Sequence, residues 1–459
     1  MVEQTLTGRV MDGIRGHIAA RRLCVGDRLP SVRQSAASFG VSAATVVEAY
    51  DRLVAEGMIE AVARSGFFVS HLAGAPQSPS ARNSRRDHAI DPFWVSRQSL
   101  DAAAASDKPG CGWLPSGWMP QRALQKALRE VSRDAVMLTD YGSTAGSLAL
   151  RRQIALRSAT DGLLCDPEHI LLTGSGTQSI DLICRVLLRP GDTVLLDDPC
   201  YFNYQALLAA HDARPVSIAF GPIGPDPAAF EALVAAKKPR LYITNSPLHN
   251  PPGGSLNLPT AHRLPAIAAA HGMVIVEDDI FADFAPGVPT MAALDGLSGV
   301  IRIGSFSKTL SAAMRCGYIA ARPDWISALC DLQLATGFGG PSPLATGVIS
   351  HVLASGGYRR HLDELRRKLA RARQRVGQGL MVLGVMPQGQ PIGGFTLWCR
   401  VPEGLDSAEL ARMCLARDVI LAPGNVFSPS QSASCFLRFN VTQTSENALS
   451  VLREVIAQL

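Results

Sequence analysis

A chain of 459 residues is too long for one ordinary domain, so two or three are expected. Its 47% hydrophobic and 18% charged content excludes a disordered chain and describes a globular one with a sizeable core. A net charge of +5 names no partner by itself, and ten scattered Cys without a C-x-x-C pair or zinc-like His spacing read as reduced thiols, with no metal site. The opening run MVEQTLTGRVMDGIRGHIAA mixes acids and bases, unlike a signal peptide, and no apolar run approaches a membrane span. The expectation is a soluble, cytoplasmic chain with no membrane partner.

Residues 1–71 predict a helix-rich module ending in two short strands. In GDRLPSVRQSAASFGVSAATVVEAYDRLVAEGMIEAVARSGFFVS, Ser31 follows Pro30 and can cap one helix, and Phe39-Gly40-Val41 supplies a tight turn. Ser42 can then cap a second helix. Val46, Ala49, Tyr50, Leu53 and Val54 recur at helical spacing, which predicts a buried face, and Gly57 ends the helix. Ser42, Ala43, Thr45 and Glu48 lie off that face, near the end that a recognition helix presents to base edges. Ile59–Ala63 and Phe67–Ser70, turning at Arg64-Ser65-Gly66, predict a hairpin.

The run GDRLPSVR, together with the helices and hairpin after it, resembles the winged helix-turn-helix of the GntR family. That resemblance implies binding to a double-stranded DNA operator, with Arg33 and Arg64 on phosphates while the recognition helix selects sequence. Charge alone is silent, since eight Arg face seven acidic residues before Ser70.

After this module, AGAPQSPSARNSRRDHAIDP carries Pro, Ser and Arg without apolar periodicity and predicts a linker over residues 72–107. From residue 108 to 459, short apolar runs alternate with helical patterns. Seven of them (HILLT, TVLLD, VSIAF, RLYIT, MVIVED, VIRIG and GYIAA) predict a mostly parallel seven-stranded sheet buried on both faces. From about residue 350, amphipathic helix and then a few strands predict a smaller α+β subdomain. The fold class is therefore multidomain, a winged helix-turn-helix followed by an α/β domain.

Only six of the 44 basic residues are Lys, and one of them, Lys308, sits among small and apolar neighbours in IRIGSFSKTLSAAMRCGY. Lys can be desolvated, deprotonated and used to form a Schiff base, as Arg cannot. A Schiff-base lysine needs a carbonyl cofactor, and pyridoxal 5′-phosphate (PLP) makes further demands. LLTGSGTQSIDLICRVLL places Ser175, Gly176 and Thr177 at a helix start, where N–H groups suit a phosphate. MVIVEDDIFADF ends a strand in three acids, Glu277, Asp278 and Asp279, any of which could face a pyridine nitrogen or cap a helix. Ser305 and Arg315 flank Lys308 as phosphate ligands, Tyr201 in DDPCYFNY offers a ring cover, and Asn250 follows a strand in ITNSPLHNPPGGSL.

Residues 108–459 resemble a fold-type I aminotransferase, and the whole chain resembles the MocR subfamily of GntR-type regulators. The resemblance implies Lys308 as the Schiff-base lysine, Asp278 as partner of the pyridine nitrogen and Asn250 at the cofactor's phenolic oxygen. It places Ser175, Gly176, Thr177, Ser305 and Arg315 on the phosphate and Tyr201 on the ring. Arg438 in FLRFNVTQ would grip an effector carboxylate, and Tyr141 in DYGSTAGSLALR would reach the other subunit's phosphate in a homodimer. The family usually keeps a tyrosine two or three residues after the aspartate; here stand Ile280 and Phe281. Neither donates a hydrogen bond, which leaves cofactor binding and puts efficient transamination in question. The expectation is a regulator sensing a small amine, an amino acid or PLP itself; the alternative is an aminotransferase with a secondary DNA-binding module.

Overall fold

The computed structural model of the chain describes residues 5–19, 22–62, 65–70, 93–103 and 106–459. They form two compact units that part near residue 88. In the first unit α1 (Leu6–Ala19), α2 (Val32–Phe39) and α3 (Ala43–Ala55) precede a hairpin of β1 (Ile59–Val62) and β2 (Gly66–Val69).

Local chemistry sets these limits. Ser31 accepts from the Gln34 amide while the Gln34 side chain accepts from the Ser31 amide, a closed capping box. Gly40, at φ 64°, ends α2 in the left-handed conformation that residues with a Cβ avoid. Ser42 caps α3 by accepting from the Thr45 amide. Val46, Ala49, Tyr50 and Leu53 are fully buried on one face of α3, and Val54 beside them is half-buried. A buried side chain of this size contributes about 2 kcal/mol. The Tyr50 hydroxyl donates to the Pro30 carbonyl at 2.8 Å and lies 2.8 Å from Ser35 Oγ, tying α3 to the start of α2.

In the hairpin, Ile59 faces Val69 and Val62 faces Gly66. Gly66, expected in the turn, opens the second strand, and Ser70, expected in that strand, follows it. Ala63, expected in the first strand, and Arg64, expected in the turn, lie outside the described residues.

The second unit begins with a departure from expectation. Residues 93–103, read as linker, contain α4 (Trp94–Asp101), in which Trp94 and Val95 are buried. Asp107, also read as linker, pairs its backbone with Asp418 and Ile420. The composition upstream is polar, but Trp94 and Val95 have apolar surface to bury and find a partner only in the folded domain.

Next come α5 (Gln121–Val131), α6 (Ala135–Thr139), α7 (Leu148–Thr160) and α8 (Gly176–Leu187). All seven apolar runs form strands: β3 (Ile170–Thr173), β4 (Thr193–Asp198), β5 (Arg214–Ala219), β6 (Leu241–Thr244), β7 (Val274–Asp278), β8 (Val300–Ser305) and β9 (Gly317–Ala320). Their order is β3-β9-β8-β7-β6-β4-β5, with β9 antiparallel to both neighbours and every other pair parallel. Alternation sends Leu172, Leu195, Tyr242 and Ile275 into one core and Leu171, Leu196, Ile243 and Val276 into the other, so both faces are covered.

A smaller antiparallel sheet, ordered β10-β11-β13-β12, comprises β10 (Met386–Pro387), β11 (Thr396–Arg400), β12 (Ala422–Pro423) and β13 (Phe436–Asn440). Helix Gly357–Val382 joins the layers, with Tyr358 and Leu362 in a core of the large sheet and Leu365 to Leu380 in the core of the small one. The α4 residues Trp94 and Val95 belong to that second core. No helix among the described residues is long and apolar enough to cross a membrane.

Candidate functional site

The three acids at the end of β7 separate by strand alternation. Glu277 accepts from the Met291 and Ala292 amides at 2.8 and 2.9 Å, and Asp279 is buried against Arg302 at 2.5 Å. Asp278 points to the other face, where Oδ2 accepts from the Tyr204 hydroxyl at 2.7 Å. Asn245 donates to the Asp278 carbonyl at 3.0 Å, fixing the strand end. Burial raises the Asp278 carboxyl above its ordinary range, and the Tyr204 hydrogen bond opposes that shift.

Lys308 lies in the turn-rich segment after β8 and donates from Nζ to the Gly112 carbonyl at 2.6 Å. Enclosure, then the nearby Arg438 guanidinium, lowers its ammonium from 10.5 to about 8. Arg438, on β13, is buried; Nη1 donates to Asn250 Oδ1 at 3.1 Å and Nη2 to the Gly110 carbonyl at 2.7 Å. Its Cζ sits 4.7 Å over the Phe427 ring, and burial lowers its pKa to about 10. Gly110 has no substitute: a Cβ there would stand 2.4 Å from the Leu421 carbonyl carbon.

Lys308, Arg438, Asn250 and Tyr201 line one cavity with Asn245, Gly112, Ile280 and Phe281. The residues of this chain expected on the phosphate, Tyr141 apart, gather through one glycine. A Cβ on Gly317 would lie 2.9 Å from the Ser175 carbonyl carbon and 3.0 Å from the Gly176 amide, so the start of β9 passes against the start of α8. That contact brings Ser305 and Arg315 beside Ser175, Gly176 and Thr177. Ser175 caps α8, whose first-turn amides project from the helix end. Ser305 Oγ donates to the Cys316 carbonyl at 3.3 Å and accepts from the Ser307 amide at 3.2 Å. Arg315 is exposed and held at φ 45°, a strained conformation for a residue with a Cβ.

Tyr141 stands apart: it is 78% exposed, packs edge-on against Phe338 at 5.1 Å, and is no part of this cavity's lining. Tyr201 meets Phe202 and Tyr204 at 4.8 and 5.5 Å. In the first unit Arg33, Ser42 and Ala43 are exposed, and Thr45 is half-buried with its hydroxyl 2.8 Å from Ser42 Oγ. Arg64 is outside the described residues.

Sequence reasoning missed Tyr204, Asn245, the carbonyls of Gly110 and Gly112, and α4. Tyr204 was within reach, three positions after Tyr201 in the first turn of the helix Asn203–Ala210. The others carry no local signal. The donor set fits PLP on its own terms. Asn245 Oδ1 is buried at the cavity with no hydrogen-bond partner among the described residues. A helix start stands ready for phosphate, and a buried carboxylate and a lysine of lowered pKa complete the set.

Residues 114–456 match the aminotransferase class I and II family, and residues 6–69 match the bacterial regulatory proteins of the gntR family. Over 98% of each chain the sequence is 30% identical to YdcR, an uncharacterized HTH-type transcriptional regulator of Escherichia coli K12. It is also 30% identical to the probable rhizopine catabolism regulatory protein MocR of Rhizobium meliloti, over 80% of this chain and 75% of that one. Among solved structures it is similar to LysN, the alpha-aminoadipate aminotransferase of Thermus thermophilus, complexed with N-(5′-phosphopyridoxyl)-L-leucine. The TM-score is 0.72 at 25% identity, covering 80% of this chain and 96% of that one. The chain belongs to the aminotransferase class I and II family and, through its gntR-type module, to the DNA-binding transcription regulators of the MocR subfamily.

Proposed function

We propose that the chain is a cytoplasmic, homodimeric regulator whose large unit holds PLP on Lys308 and answers to a small amine carrying a carboxylate. When bound, PLP supplies an electrophilic carbon to which an amine can attach. Lys308 Nζ is the attachment point, since burial and the Arg438 guanidinium lower its pKa and favour the neutral amine more than in an ordinary lysine. Asp278, oriented by Tyr204, would hold the proton on the pyridine nitrogen, and the α8 start with Ser305 and Arg315 would hold the phosphate. Asn250 would meet the phenolic oxygen, and Arg438, already aimed by Asn250 and Gly110, would pair with the ligand's carboxylate. Tyr141 would serve the partner subunit, which accounts for its exposure. In the first unit Arg33 and Arg64 would hold phosphates, with Ser42, Ala43 and Thr45 near the bases.

The observation that carries this reading is the convergence of Lys308, Asn250 and Arg438 on one cavity in a chain that begins with a DNA-reading module. The hydroxyl-free wall at Ile280 and Phe281 favours holding a ligand over turning it over. Purified protein with PLP should absorb in the visible, and borohydride should fix the label on a Lys308 peptide. Titration with amino acids should change that band quickly with little keto product. A label on another lysine, or rapid multiple turnover with a keto acid, would overturn the reading.

A further inference from the structure

We propose that helix α4 supplies the side-chain end of the effector site, and that the effector is a monocarboxylic amino acid with an uncharged, hydrogen-bonding side chain that meets Ser99. This rests on the reading that Arg438 takes the carboxylate. Val95, Ser96 and Ser99 line the same cavity as Lys308 and Arg438. Positions 95 and 99 are one helical turn apart and position 96 adjoins them, so a single face of α4 is turned to the cavity. Trp94, Val95 and Ser99 are 5%, 2% and 1% exposed, so this face is packed in place.

Ser99 Oγ is the sharpest observation. A buried helical serine usually returns its hydroxyl to the carbonyl one turn back, and leaving a buried hydroxyl unpaired is unfavourable. Ser99 Oγ is buried and has no hydrogen-bond partner among the described residues. It is a donor and acceptor held in reserve, beside a largely apolar stretch of the cavity wall, where Ser96 and Thr396 are the other aliphatic hydroxyls of the lining. Val95, Phe202, Phe281 and Phe395, which share one core, form that stretch.

Charge narrows the ligand further. Among the described residues lining the cavity, Lys308 and Arg438 are the charged ones. Arg438 answers one carboxylate and Lys308 is the attachment point, so a side-chain carboxylate finds no third cation. A side-chain ammonium finds no carboxylate in the lining. Burying either charge unpaired is strongly unfavourable, whereas a hydroxyl or amide tip finds Ser99. The helix is also the first described element after the segment that joins the two units, so a ligand on Ser99 contacts the chain where it leaves for the DNA-reading module.

Calorimetric titration of the PLP-loaded full chain with matched amino acids tests this: threonine against valine, serine against alanine, asparagine against leucine, plus glutamate and lysine. At least one polar member should bind about fivefold or more tighter than its apolar partner, as one hydrogen bond to a waiting group would give. That ratio should fall to about one in Ser99→Ala and partly return in Ser99→Cys, with near-UV dichroism confirming that both fold. Glutamate or lysine binding tightest, or a ratio unchanged in Ser99→Ala, would overturn the subsite. So would a Ser99→Ala shift of the visible band before any amino acid is added, which would assign Ser99 to the cofactor. Arg438→Lys should weaken every member alike; if it does not, or if no member binds, the carboxylate reading itself fails.

Discussion

The two units carry their functions in opposite ways. Apart from Arg64, the residues proposed to meet DNA in the first unit lie within 15 consecutive positions, Ser31 to Thr45, where capping hydrogen bonds spanning three residues set the helix starts. The cavity of the second unit gathers Gly112, Asn250, Lys308 and Arg438, and one of the hydrogen bonds that aim Arg438 joins residues 328 apart. A helix start is built by local caps, so a surface displayed there is fixed by a short motif. A site that must be dry, with a lysine of lowered pKa and an arginine of fixed aim, requires walls from many elements, and only a folded core provides those.

Three experiments sharpen that contrast, beginning with the largest expected effect. Asp278→Asn removes a buried carboxylate that Tyr204 orients, and a charge-assisted hydrogen bond of this kind contributes about 1.5–3 kcal/mol. PLP affinity should fall roughly ten- to hundredfold by fluorescence titration, while operator binding by the first unit in the absence of PLP stays intact. An unchanged affinity would remove Asp278 from the site.

The next effect is that of pH on Lys308. Its folded pKa is lowered, so the ammonium predominates below about 8 and the neutral amine above it, instead of only above 10.5. The rate of covalent PLP attachment should therefore rise about tenfold per pH unit below pH 8 and level off above it, read by stopped-flow absorbance. By the same linkage, Lys308 destabilises the fold fully below pH 8, and the penalty is relieved as pH rises toward 10.5. A rate still climbing through pH 10 would mean that the cavity does not desolvate the amine.

The smallest effect belongs to the exposed unit. Arg33→Ala should weaken DNA binding a fewfold for every sequence alike and lower the magnitude of the log–log salt slope by about one. Because Arg33 is exposed, thermal stability should not move. An unchanged slope would take Arg33 off the phosphates.

How far the sequence could be read follows from the same contrast. Ser31, Gly40 and Ser42 stand where capping chemistry puts them, and the seven apolar runs all became strands because a strand buried on both faces must be continuously apolar. The motifs around Lys308, Asp278 and Arg438 were visible because each follows or lies in such a strand. Which of three adjacent acids faces the site came only from the family resemblance, which points to Asp278, and not from local pattern. That choice depends on the register of β7 against its neighbours, which gives Glu277 and Asp279 their own partners and leaves Asp278 to Tyr204.

The sequence by itself determined the helix limits of the first unit, the strand inventory of the second and the chemical types available for a PLP site. Those properties rest on local caps and on the period of apolar residues, which act over a few positions. The tertiary structure decided that α4 is a wall of the cavity and not linker, that Gly317 draws together the two turns proposed to hold phosphate, and that Arg438 is aimed by Asn250 and Gly110. These depend on close approaches between elements distant in the chain, where the presence or absence of one Cβ decides what can touch, and no local pattern encodes that.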